Sequence, residues 1–204
     1  MSYNFPANSE MKKIDAHSKG SVWASIANKH SAPAICTWSG ASLLKYFRAT
    51  NDEYAIQLLK DIAHGVPQYV SHQDRIIANM EPGGSCERVN LSDWEGKENI
   101  GGNLFASCAW VEVAAMLTVT ELPSIYIQKD KSKIYVLDHL IVNANRDSKN
   151  RLVLNIKNPT KYEALIKIYI EDSEEAKCSK FSMKNKSKIK QLVVKENEMT
   201  KIVL

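Results

Sequence analysis

Residues 104–143 read LFASCAWVEVAAMLTVTELPSIYIQKDKSKIYVLDHLIVN, and the hydrophobic period changes inside them. Residues 104–120 are apolar on all sides, with Glu112 as the one carboxylate. A helix without a polar face is expected to be enclosed all round. At about 17 residues, with an internal charge and no basic flanks, the stretch is short for a membrane span. After Glu121-Leu122-Pro123 the period becomes two: Lys133–Asn143 sets Ile134, Val136, Leu140 and Val142 on one face. That alternation predicts a strand.

The same period continues toward the C-terminus. Arg151–Asn158 aligns Leu152, Leu154 and Ile156, and Ala164–Glu171 aligns Ala164, Ile166, Ile168 and Ile170. Lys188–Val194 and Met199–Leu204 read as further strands, and turn clusters stand at Asn145–Asn150 and Asn158–Thr160. Short strands at this spacing predict an antiparallel β-sandwich over 123–204.

Toward the N-terminus the signals are helical. Residues 34–48 (AICTWSGASLLKYFR) hold no charge before Lys45, which predicts another enclosed helix. Thr50-Asn51-Asp52-Glu53 is a capping-box pattern with Thr50 as cap. It opens an amphipathic helix with Ala55, Leu58, Leu59 and Ile62 on one face, ending at Gly65 and Pro67. Residues 66–103 show neither period and read as one long loop. Loops of that length are usually functional or disordered. Trp94, Ile76, Ile77, Val89, Leu91 and Ile100 argue for order in this one. The order enclosed helix, peripheral helix, long loop, enclosed helix fits an inner and outer layer of helices. The predicted fold is therefore α+β and multi-domain: a partial α/α-toroid helical domain over 1–122, then the sandwich.

The net charge of +4 is uneven. Residues 1–122 carry 10 Lys/Arg against 13 Asp/Glu, and residues 123–204 carry 17 against 10. The basic half disperses its lysines along alternating strands, where solvated faces and edge protection account for them. Nucleic acid would instead want a basic patch with aromatics or a reading helix, so no nucleic-acid partner is expected. The first residues, MSYNFPANSEMKK, lack the apolar run of a secretory signal. Cys36, Cys86, Cys108 and Cys178 have no paired spacing, which argues against a zinc ribbon or a disulfide framework. A cytoplasmic protein with reduced thiols, no cofactor, no metal and no membrane association is expected.

Chemistry concentrates in the long loop. Glycosidic-bond cleavage needs two carboxyl groups in differing environments, and an aromatic plate suits the apolar face of a pyranose. Asp93-Trp94-Glu95, with Glu87 nearby, supplies those types. The expected catalytic residues are Glu87, Asp93 and Glu95. Trp94, Arg88, Asn90, Arg75 and Glu112 are expected to contact substrate. Surface carboxylates are more often merely solvated, and an Arg75–carboxylate brace is the plainer alternative. Cys108 and Glu112 share a helix face, and a buried carboxylate there would need a partner.

From about Tyr54 to Asn143 the chain resembles the C-terminal part of a family of large, mostly uncharacterised bacterial proteins. These are similar to (α/α)6-toroid glycoside hydrolases and polysaccharide lyases with a β-sandwich after the toroid. The resemblance rests on Ile62-Ala63-His64, Pro67-Gln68-Tyr69-Val70-Ser71 and Asp74-Arg75. It rests above all on Glu87-Arg88-Val89-Asn90-Leu91-Ser92-Asp93-Trp94-Glu95-Gly96. It continues through Ser107, Trp110-Val111-Glu112-Val113 and Met116-Leu117-Thr118 to Asp138-His139. It implies that loop 72–103 faces a substrate cleft. It also implies a carbohydrate-active protein acting by paired carboxylates, or a non-catalytic remnant that binds carbohydrate or a partner. Family members are several hundred residues long, so this chain would hold only the last helices of the ring. Self-association or a partner chain completing the ring is expected, since enclosed helices without neighbours expose apolar surface.

Overall fold

The computed structural model describes residues 5, 9–25, 30–32, 40–90, 104–106 and 109–204. The chain is mixed α+β and divides into two compact units. One comprises residues 1–47 and 51–122, the other residues 48–50 and 123–204.

In the first unit, α1 (Glu10–Lys13) is a single turn whose cap is Ser9, accepting from the Lys12 amide. Strands β1 (Val22–Ser25), β2 (His30–Ala32), β3 (Cys86–Asn90) and β4 (Leu104–Ala106) form one antiparallel sheet in that order. This sheet was not anticipated from the sequence, which suggested an array of helices there. Helices α2 (Gly40–Thr50), α3 (Glu53–Gly65) and α4 (Ala109–Glu121) complete the unit.

Three helical expectations need correction. The cap of α3 is Asp52, whose side chain accepts from the Tyr54 amide, while Thr50 still belongs to α2. Asn51, with φ 57°, makes the link between the two helices in the left-handed region that Asn tolerates. The enclosed helices also show open faces. In α2, Tyr46 is 53% exposed; in α4, Met116 is 66% and Val119 70% exposed. Uniform apolarity gives no face a preference, so tertiary contacts alone decide which side is covered. In α4 that side is Ala114, packed with Ile62 and Val66.

The region 66–90 is structured rather than a loop. A 3-10 turn at Val66–Tyr69 follows α3, with Pro67 in its first turn. Ser71 is buried and ties the segment together: its hydroxyl donates to Met80 O at 2.8 Å and accepts from the Ile77 amide at 3.3 Å. The register of β3 on β4 shifts between Cys86 and Arg88. That bulge lets Cys86 and Val89, three apart, both enter the core with Phe5, Met11, Tyr69 and Ile77. Gly20 has φ +87°, and a Cβ there would lie 2.1 Å from the Asp61 carbonyl oxygen, so only glycine fits against α3.

The second unit holds two sheets. One runs β10 (Ile189–Val194), β9 (Ala164–Glu171), β5 (Ile125–Gln128), β6 (Lys133–Val136); the other runs β11 (Met199–Val203), β8 (Leu152–Lys157), β7 (Ile141–Arg146). All their ladders are antiparallel except β5 on β9, which is parallel, so the first sheet is mixed. The single strand expected over 133–143 is two, β6 and β7, in different sheets. The break lies at Leu137–Leu140, where the Leu137 amide bonds Ser124 O and the Asp138 carboxylate accepts from the His139 amide. Ile125, Ile127, Ile166, Ile168 and Val194 of one sheet share a buried cluster with Leu154 and Ile156 of the other. The opposite face of β5 and β9 is buried too, through Tyr126, Tyr169 and Glu171. Helix α5 (Ser173–Cys178) follows β9.

Candidate functional site

Of the residues expected to act on substrate, only Arg75 and Glu112 have side chains among those described. Asp93, Trp94 and Glu95 lie outside them. Glu87, Arg88 and Asn90 lie on β3, with side chains also outside the description. Arg75 is a structural tie: its guanidinium donates to Pro67 O at 2.8 Å and Val70 O at 3.1 Å, carbonyls rather than the carboxylate of an ionic brace. Its main chain pairs reciprocally with His72. Glu112, in the first turn of α4, is partly exposed and makes no ion pair among the described residues.

Cys86 is inert by position. Its side chain is fully buried, and burial pushes the thiol up to about 12, against a smaller opposing effect of Arg75. A neutral thiol is neither a nucleophile nor a metal ligand. No cluster of metal-ligating side chains occurs among the described residues.

The strongest electrostatic feature of the second unit is buried. Glu171 accepts from Arg48 at both carboxylate oxygens, from Nε at 2.6 Å and Nη2 at 2.9 Å. Tyr126 Oη donates to it at 2.8 Å and Lys188 Nζ at 3.0 Å. Both cations also donate to Ser179 Oγ, and Lys188 reaches Glu175 at 2.7 Å. The Arg48 guanidinium sits over Phe181, 5.3 Å from the ring centroid. Burial alone would raise the Glu171 carboxyl, but the bonds from Arg48, Lys188 and Tyr126 outweigh it and hold it below the usual carboxylate range. Every oxygen of Glu171 is engaged internally, which marks a structural centre rather than a reactive one.

A cavity of about 420 Å³ opens at one end of this unit. Ile127, Leu152, Ile170 and Leu204 give it an aliphatic lining, and Lys129, Arg146, Asn150, Arg151, Ser187, Lys188 and Lys190 give it polar groups. Among the described residues no Asp or Glu side chain lines it, nor does any of 66–90. Residues 91–103 of the loop expected to face a cleft lie outside the described residues. The size and the combination of an aliphatic wall with polar groups suit a small ligand.

Strand alternation explains the lining. Ile125 and Ile127 on β5, and Leu154 and Ile156 on β8, point into the shared core. Val142 and Ala144 of β7 register against Ile156 and Leu154, and Arg146 follows against Leu152. Leu192 of β10 registers against Ile166, and Lys190 precedes it against Ile168. The signal was present in the sequence as a cation two positions from an inward apolar residue. Which strand ends converge was not.

No family model, curated protein or solved structure matches this chain.

Proposed function

We propose that the chain is a saccharide-binding protein, that the paired sheets of its second unit form a β-sandwich, and that the cavity at the end of those sheets is the ligand seat. The observation carrying this reading is the cavity lining. Arg146, Asn150, Arg151 and Ser187 offer hydrogen-bonding groups suited to hydroxyls, beside an aliphatic wall suited to the C–H face of a sugar ring. The resemblance of residues 54–143 to a mostly uncharacterised family similar to toroid glycoside hydrolases and polysaccharide lyases favours a saccharide as the ligand. The hydrolytic alternative needs an acid and a base carboxyl at the bond. Among the described residues no Asp or Glu side chain in this cavity provides either.

The test is amide chemical-shift mapping of the full chain with a panel of neutral and acidic oligosaccharides. Shifts are expected at Ile127, Asn150, Leu152 and Ile170. A panel in which no sugar moves these amides overturns the reading.

A further inference from the structure

Five cationic side chains meet at the cavity, and they are not all paired. Arg151 is neutralised by Asp147 at 2.7 Å, and Lys188 by Glu171 and Glu175. Arg146 donates to Asn150 O and Ser132 Oγ, both at 2.7 Å, and neither is a carboxylate. Lys129 and Lys190 form no ion pair among the described residues. Three cations therefore converge on one partly apolar cavity, none of them in an ion pair among the described residues.

Edge protection is the competing explanation, since inward charges on edge strands block unwanted pairing. It covers Lys190 on β10 and Arg146 on β7, both edge strands. It does not cover Lys129, which directly follows β5, a strand flanked on both sides. Its amide continues the ladder by bonding Glu171 O. Position 129 also continues the inward series Ile125, Ile127. Clustered like charges repel unless an anion sits among them, and a low-dielectric wall strengthens the attraction when one does.

We propose that the cavity takes a ligand bearing an oxyanion, a carboxylate or a sulfate ester, held by Lys129, Arg146 and Lys190. This rests on the reading of the cavity as the saccharide seat, and names the class of saccharide: an acidic one. The anion occupies the cationic mouth and the ring lies on Ile127, Leu152 and Ile170.

Calorimetric titration of the full chain with four probes separates the claims. These are a short oligogalacturonate, its neutral methyl ester, a sulfated disaccharide and sodium sulfate alone. At least one acidic sugar is expected to bind about tenfold or more tightly than the neutral ester, and more weakly as salt rises. Lys129→Gln and Lys190→Gln are each expected to weaken that binding by about tenfold. Both lysines are exposed, so the variants should keep the parent unfolding midpoint. Equal binding of ester and acid, or binding indifferent to both substitutions, overturns the anion site and leaves the saccharide reading standing. Sulfate binding that needs the lysines, with no sugar bound, does the reverse. Silence from all four probes overturns both.

Discussion

Cys86 and Glu87 are neighbours whose roles the sequence invited one to exchange. The acidic residue drew attention because carboxylates do sugar chemistry, while the cysteine gave no motif. The structure assigns Cys86 to the core beside Tyr69 and Val89. Burial of the thiol has a direct consequence. In the native protein at pH 8, iodoacetamide should label exposed Cys178 and leave Cys86 unmodified until the chain unfolds. Peptide mass spectrometry measures both, and equal labelling rates would refute this packing. Arg75 teaches a similar lesson. Its value as a ligand contact could not be separated, from sequence, from its use as a tie between the carbonyls of Pro67 and Val70. A side chain's partner is set by the fold of its own turn.

Elements long enough to show an apolar alternation were legible; short ones, and ones apolar all round, were not. β9 sets Ile166, Ile168 and Ile170 two apart and was read at its observed bounds, Ala164–Glu171, although Tyr169 and Glu171 bury its other face as well. β5 is buried at all four positions, so IYIQ shows no alternation to read. The short strands β1 and β2 carry too few residues for a period. α4 shows the converse problem. Its sequence implies enclosure, yet Val113, Met116 and Val119 stand exposed on one side. Met116→Glu should therefore change stability by less than about 0.5 kcal/mol in denaturant unfolding followed by tryptophan fluorescence. A loss of several times that would show the side to be covered.

At the scale of the molecule, reporters divide with the units. All four tryptophans lie in residues 1–122, so tryptophan fluorescence reports on that part of the chain. The amide resonances of Tyr126 and Tyr169 follow the second unit separately. Its buried ion cluster is the feature to challenge. Glu171→Gln leaves Arg48 without its anion and Lys188 with Glu175 alone, and should cost about 3–5 kcal/mol. The pH dependence follows from the carboxyl being held below its ordinary range. Its stabilising contribution is complete above that range and disappears as pH falls through it, from about pH 5 downward. The variant should lose this acid sensitivity along with the stability, and a tyrosine signal unchanged in both respects would count against the cluster. The cavity was illegible at this scale for a related reason. It exists only where the ends of β5, β7 and β10 meet, and no local pattern encodes that meeting.

The parallel pairing of β5 with β9 also sets an order of assembly. Ile125 pairs with Ile168, whereas its antiparallel neighbour on β6 is Val136. A chain leaving the ribosome can close the β5–β6 hairpin at once. The other side of Ile125–Gln128 must wait for residues 164–171 to emerge, holding bare amides and carbonyls beside a wholly apolar face. Nascent or refolding protein is most exposed to wrong pairing during that interval.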